Sequence, residues 1–311
     1  MKTAVLINYS ANNNEGKSKW LTIQNIILSN LPNDTIVFVY TIPYDIEKCV
    51  RSLIIDHEVN CIISAGGDGS LNYILNTVIN NFTESAKRLY LGAIGLGSSN
   101  DFLKPFSKKI EGIPVKINLN NSNLVDIGKV SFIDITSKRV TKYFIANASL
   151  GVTADANFLF NKGDSLLNWL KPRYVNTAII YAALKTIIGY QNKFIKLSYL
   201  GKDRQINATN ISVVKNPNIS GSFKYDQKIS PDDGMLGLNY CYDMNLFGLI
   251  KILDDLRKGR FSGKPKRVSE LVEYLKIETE KYLALETDGE VVMAKDIEFT
   301  IMPKSIHVLG S

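Results

Sequence analysis

Gly66-Gly67-Asp68-Gly69-Ser70 stands between an apolar run, Cys61–Ala65, and a segment patterned as a helix. Glycines permit positive φ and let backbone amides approach a ligand closely. Such amides, with a helix N-terminus behind them, form an anion site suited to phosphate. The bland alternative is a tight strand-to-helix turn with Ser70 as an N-cap, for which an aspartate among three glycines is an odd choice. The loop is not a Walker loop, since no Gly-Lys-Ser follows, and it lacks the G-x-G-x-x-G dinucleotide spacing. A second loop, Gly95-Leu96-Gly97-Ser98-Ser99-Asn100-Asp101-Phe102, also follows a strand-like run and offers glycines, hydroxyls and an Asn-Asp pair. Asn and Asp are common turn residues, so this loop alone says little. Two such loops at the same edge of one sheet are much more specific. Late in the chain, Asp288-Gly289-Glu290 adds two carboxylates, although on composition alone a polar hairpin turn is the favoured reading.

Glycine-rich amides and a few carboxylates suit phosphoryl transfer, which needs alignment and charge neutralisation more than covalent help. Other chemistries have little to draw on. His57 and His307 are the only histidines, which leaves a Ser-His mechanism or a histidine metal centre without material. Cys49, Cys61 and Cys241 are scattered without paired or metal-like spacing, and read as packing residues of a reducing compartment.

The elements that must position these loops follow from hydrophobic period. Strand-like runs at Thr3–Asn8, Ile36–Thr41, Val59–Ala65 and Leu89–Ile94 alternate with helical patterns. The helices are marked by Trp20, Ile23, Ile27 and Leu31, and by the segments Asp45–Ile55 and Ser70–Asn80. This βαβα order predicts a parallel sheet with helices on both faces, whose ligands bind at the loops after the strands' carboxyl ends. Beyond about Asp126 the texture turns to short β-rich runs: Tyr143–Ala148, Phe194–Leu200, Asn210–Val214, Leu236–Tyr242, Tyr274–Glu278 and Glu298–Met302. Two helical stretches interrupt them, one with Ile179, Ala182, Ala183, Ile187 and Tyr190 on a face, the other with Leu246, Leu249, Ile250, Leu253 and Leu256. The expected second domain is a mainly antiparallel, sandwich-like sheet.

A chain of 311 residues fits two domains. Its 45% hydrophobic and 22% charged content is that of an ordinary globular protein. The net charge of +7 points to acidic partners such as nucleotides, phosphorylated substrates or anionic membranes. The start, MKTAVLINYS, lacks the build of a secretory signal. The longest apolar run, Ala178–Leu184, falls far short of the ~20 residues that span a bilayer. The expectation is a soluble, cytoplasmic protein able to touch the inner membrane surface; no nucleic-acid partner is expected.

The two loops about thirty residues apart resemble the catalytic domain of diacylglycerol kinases, and of the related sphingosine, ceramide and bacterial lipid kinases. Later segments agree in order: Val125-Asp126-Ile127-Gly128-Lys129-Val130 resembles the family's crossing into its second domain. Phe144–Gly151 resembles its Phe-x-Asn-x-x-x-x-Gly stretch with the asparagine displaced, Asp233-Gly234-Met235-Leu236 its Asp-Asp-Gly-x-Leu motif, and Asp288-Gly289-Glu290 its late Asp-Gly-Glu. The resemblance implies an ATP-dependent lipid kinase using Mg²⁺. It implies an α/β nucleotide-binding domain at 1–128, which the tail 303–311 can complete, and a β-rich lipid-binding domain at 129–302. The active site would lie in the cleft between them.

Residue by residue, the resemblance assigns ATP binding to Thr41, Gly66, Gly67, Asp68, Gly69, Ser70, Leu71, Asn72, Gly97, Ser98, Asn100 and Asp101. Glu290 would be the general base on the lipid hydroxyl, with Asp288 and Asp68 positioning it and the magnesium-bound phosphates. Ser230 and Met235, through backbone oxygens, and Asp233 would hold a structural cation. Three segments depart from the family pattern. Asn8-Tyr9-Ser10-Ala11 replaces Asn-Pro-x-Ser-Gly, Ser99 replaces a smaller residue, and the usual Pro-Asp-Ala is missing before Asp233. Alternative functions are phosphorylation of a soluble hydroxyl, as NAD kinases do with a related loop, or nucleotide binding without turnover. Arg257–Arg267, with six basic residues in eleven, reads as a solvated loop or as a face for anionic lipid.

Overall fold

The computed structural model describes residues 1–41 and 46–311. The chain forms two compact units, 1–125 with 304–311, and 126–303.

In the first unit the strands β1 (Thr3–Asn8), β2 (Ile36–Tyr40), β3 (Cys61–Gly66) and β4 (Tyr90–Gly95) form a parallel sheet in the order β4-β3-β1-β2. The tail segment of the last strand adds a parallel neighbour to β4, with His307 opposite Tyr90 and Val308 opposite Leu91. Helices α1 (Gly16–Ser29), α2 (Ile46–Ile55) and α3 (Asp68–Phe82) follow β1, β2 and β3. Asp45, expected as the start of α2, lies outside the described residues. All six residues of β3 are buried, as a strand covered on both faces requires. Trp20, Ile23 and Ile27 of α1 pack with Val5, Ile7, Ile63 and Ile94 of the sheet. Because β1 pairs with β2 on one side and β3 on the other, the strand order reverses at β1. The loops after β1 and β3 therefore flank the switch point where such sheets bind ligands.

Two local details differ from expectation. The polar loop after β1 contains one helical turn, Ala11–Asn14, and α3 starts at Asp68 rather than Ser70, with Gly67 as its N-cap. Asp68 and Gly69 thus belong to the helix's first turn.

The second unit is an antiparallel, β-rich unit with helical insertions. Its strands include β6 (Arg139–Phe144), β7 (Asn147–Gly151), β8 (Lys193–Tyr199), β9 (Lys202–Val214), β10 (Leu236–Tyr242), β11 (Arg267–Val272), β12 (Tyr274–Glu278), β13 (Leu283–Thr287) and β14 (Glu290–Gly310, up to residue 303); β5 (Asn118–Asp134) enters it at residue 126. β9 pairs with β8, β10 and β7, and β13 pairs with both β7 and β14. Phe132, Phe144, Leu150, Ile211, Leu238, Leu285 and Phe299 lie in one buried core, within which Tyr199 and Tyr240 share a hydroxyl hydrogen bond of 2.9 Å. The strand expected over Tyr143–Ala148 is two strands broken at Ile145–Ala146, because the amides there are taken by a distant carboxylate. Helices Val152–Lys162 and Ser165–Leu170 were not foreseen, nor were β11 and β13; the helix expected to include Tyr190 ends at Ile187. Cys61 and Cys241 are buried, which pushes both thiols up to about 12 and keeps them inert packing groups. No helix among the described residues is long and apolar enough to cross a membrane.

Candidate active site

At the carboxyl edge of the parallel sheet, four loops are tied by short polar contacts. Asn8, ending β1, donates from its side-chain amide to Ser70 Oγ at 2.9 Å. Its Oδ1 accepts from the amide and hydroxyl of Ser10, whose Oγ also lies 3.0 Å from the main-chain carbonyl of Thr41 as a donor. The departure from Asn-Pro-x-Ser-Gly therefore leaves a loop that is still ordered, with Ser10 bridging the ends of β1 and β2.

The two glycine loops touch backbone to backbone. A Cβ on Gly97 would fall 2.4 Å from the Cα of Gly67, so only glycine permits this approach. The amides of Leu96 and Gly97 donate to the carbonyl of Gly66 at 2.9 and 3.2 Å. Asp68 closes the junction. Its Oδ2 accepts from the amide of Asp101 at 3.0 Å and its Oδ1 from the amide of Phe102 at 3.1 Å. Asn100, held at φ 51°, completes the second loop: its Oδ1 accepts from Gly97 N, and its Nδ2 donates to the carbonyls of Gly95 and Gly97. Asp101 pairs with Lys104 at 2.6 Å in a nearly buried ion pair. Beside it the Lys116 ammonium donates to the carbonyl of Phe102, and burial pulls its pKa down.

The first-turn amides of α3 leave the helix without intrahelical acceptors. The macrodipole adds positive potential at that end. Together with the Ser70 and Ser98 hydroxyls, this is chemistry for binding phosphate oxygens. Leu71 and Asn72 have buried side chains, and Asn72 accepts from Asn76 Nδ2. What Leu71 offers a ligand is its main chain.

In the second unit Asp288-Gly289 forms a two-residue hairpin turn with φ of 46° and 95°, placing Thr287 opposite Glu290. Positive φ at both central residues is the turn type that suits an Asp-Gly pair. The Asp288 carboxylate is buried and accepts three amides, from Ile145 at 2.8 Å, Ala146 at 3.0 Å and Asn147 at 2.9 Å. Glu290, in contrast, is exposed. Lys142 lies near enough to feel it: burial lowers the Lys142 pKa, and the Glu290 charge offsets part of that. Two residues that sequence reasoning missed hold this turn. Glu286, buried, accepts from the amide of Gly289 at 2.6 Å and from Ser149 Oγ at 2.7 Å; Asn161 donates to the carbonyl of Gly289 at 2.8 Å. Glu286 sits two residues before a motif aspartate, the one local signal it offered.

The residues expected to hold a structural cation are together, around a different occupant. Lys215 Nζ donates to Ser230 O at 2.9 Å, Met235 O at 2.8 Å, Asp233 Oδ1 at 2.9 Å and Asp126 Oδ2 at 3.0 Å. Burial alone would raise the Asp233 carboxyl, but Lys215 and the amides of Ser230 and Met235 outweigh it and hold it below the usual range. The oxygens of this set converge on an ammonium. The basic segment is also largely engaged within its own unit. Lys258 pairs with Asp254, Lys264 and Arg267 with Asp255, and Lys266 donates to the carbonyl of Asp243.

The chain thus joins a parallel α/β unit with paired glycine loops at its switch point to an antiparallel β unit carrying an Asp-Gly-Glu hairpin. Residues 2–130 match the diacylglycerol kinase catalytic domain, and residues 146–310 match the YegS C-terminal NAD kinase beta sandwich-like domain. A diacylglycerol kinase of Bacillus subtilis is 25% identical over 252 residues, covering 81% of this chain and 78% of the relative. One from Staphylococcus carnosus is 26% identical over 250 residues, covering 77% and 72%. The crystal structure of a diacylglycerol kinase from Bacillus anthracis superposes with a TM-score of 0.70 over 100% of this chain and 97% of that one, at 16% identity, and so shares the fold. The chain belongs to the diacylglycerol kinase family of lipid kinases.

Proposed function

We propose that the protein transfers the γ-phosphoryl of ATP to the hydroxyl of a lipid. The observation that carries this reading is the pair of glycine loops locked together by Asp68 at the sheet's switch point. That junction presents helix N-terminal amides and two serine hydroxyls to a polyphosphate. Mg²⁺ would enter with the nucleotide, since this ion is commonly held by substrate phosphates plus one or two carboxylates. Asp68 is the carboxylate of the loop that would hold it, and the ion's contribution is charge neutralisation. Glu290, exposed at the Asp-Gly-Glu hairpin, takes the proton of the lipid hydroxyl. The hydroxyl oxygen then bonds to the γ-phosphorus as the bond to ADP breaks, and ADP leaves.

The lipid is met at a membrane surface. Trp169 and Tyr174 are half exposed, with ring centroids 6.2 Å apart, and the Arg173 guanidinium lies 5.3 Å over the Trp169 ring. Aromatic rings beside cations suit the headgroup region of an anionic bilayer. The test is a labelled-ATP assay over diacylglycerol, phosphatidylglycerol, ceramide, sphingosine and undecaprenol, presented in anionic and in neutral vesicles. Label is expected in the organic phase, dependent on Mg²⁺ or Mn²⁺ and higher with anionic vesicles. Ready phosphorylation of NAD or a sugar with every lipid untouched would overturn the reading.

A further inference from the structure

The Lys215 cage contains the whole oxygen set to which the family resemblance assigns a divalent cation, and adds Asp126 to it. Lys215 follows the end of β9 and its side chain is 2% exposed; that of Asp126 is 0% exposed. An ammonium has three N–H groups, and here four oxygens lie 2.8–3.0 Å from its nitrogen, so one N–H is shared. Those are hydrogen-bonding distances. Oxygens around Ca²⁺ lie at about 2.3–2.6 Å and around Mg²⁺ at about 2.0–2.1 Å. The same carbonyl and carboxylate oxygens cannot converge on a metal while they converge on the lysine, and a second cation beside it would be repelled.

The carboxylates are held by more than the lysine. Gly234 N donates to Asp126 Oδ2 at 2.7 Å, and the amides of Ser230 and Met235 donate to Asp233 at 2.9 and 3.0 Å. Backbone dipoles thus offset the charge that one ammonium leaves between two carboxylates. The cage is also tied to the Asp-Gly-Glu hairpin. Lys215 N and Asn216 N donate to the carbonyl of Ala146 at 2.8 and 3.0 Å, and the amide of that same Ala146 donates to Asp288. An occupant that orders residues 230–235 therefore also braces the turn that Asp288 grips.

We propose that Lys215 is a built-in replacement for the structural cation, so that the second unit is stable without any divalent metal. The proposal concerns stability and metal content, so it stands or fails separately from the kinase reading.

Thermal unfolding and elemental analysis test it on the full-length protein. Wild type is expected to carry less than stoichiometric divalent metal after purification, and to melt at the same temperature in EDTA, millimolar Mg²⁺ or millimolar Ca²⁺. Lys215→Ala removes the ammonium and opens room among the oxygens. Its melting point in EDTA should fall by roughly 10 °C, as loss of one partner of a buried ion pair implies. Ca²⁺ or Mg²⁺ should restore part of that loss in a saturable way. Lys215→Met, which keeps a filled cage without charge, should be destabilised and gain nothing from either ion. Stoichiometric metal in the wild type whose removal by EDTA lowers its melting point would overturn the proposal. So would a Lys215→Ala protein as stable in EDTA as wild type. If Lys215→Ala does not fold, the wild-type chelation and metal-content measurements decide alone.

Discussion

Asp68 in the first unit and Asp288 in the second are the aspartates of two separate motifs, and both carboxylates accept backbone amides far away in the sequence, Asp68 from later residues and Asp288 from earlier ones. Asp68 accepts the amides of Asp101 and Phe102, 33 and 34 residues away. Asp288 accepts those of Ile145, Ala146 and Asn147, 141 to 143 residues away. In each unit a carboxylate fastens a motif loop to a segment distant in sequence. The difference lies in what is left exposed. At the glycine loops of the first unit it is the half-buried serines Ser70 and Ser98; at the hairpin of the second it is the carboxylate of Glu290. Charge-assisted bonds to several amides are strong and directional, so each aspartate holds its loop in place, and in the proposed reaction the proton of the lipid hydroxyl goes to Glu290.

The comparison can be pressed first where the span is longest. Asp288→Asn keeps the shape but turns one carboxylate oxygen into an amino group facing a backbone donor. With the site buried, we expect a loss of about 3 kcal/mol in unfolding free energy, measured by urea denaturation, and a fall in turnover as the hairpin loosens. Unchanged stability would mean the 145–147 turn is held by something else.

The junction of the first unit should respond less, and differently. Gly97→Ala drives a Cβ into the Cα of Gly67, and overpacking of this kind typically costs about 1–3 kcal/mol. The loops must part to admit it, so the KM for ATP should rise more than kcat falls. An equal fall in kcat with no change in KM would argue that the contact does not shape the nucleotide site.

How much of this was legible follows the same division. The first unit was readable because its signals are local: β3 is a continuous apolar run, α1 shows its stripe of Trp20, Ile23 and Ile27, and each glycine loop follows directly on a strand. The Asp-Gly turn was readable as a turn. The gap between β6 and β7 was not, since its amides are satisfied from across the sequence. The helix Val152–Lys162 buries only Ala154, and so carried no apolar stripe to find. Ser230, Asp233 and Met235 could be gathered from the motif. Their occupant could not, because a single lysine after a strand looks like any solvated one. Glu286 and Asn161 hide for the same reason: their partners lie on other elements.

The central claim is that Glu290 is the carboxylate that acts on the reacting atoms while Asp68 and Asp288 hold loops. It is tested most directly by kcat of Glu290→Gln in the lipid phosphorylation assay, with melting temperature recorded on the same preparation. Loss of a positioned general base should lower kcat by about 10²–10⁴-fold, while the melting temperature and the KM for ATP stay at wild-type values because the side chain is exposed. A folded Glu290→Gln protein that turns over at near the wild-type rate would contradict the account.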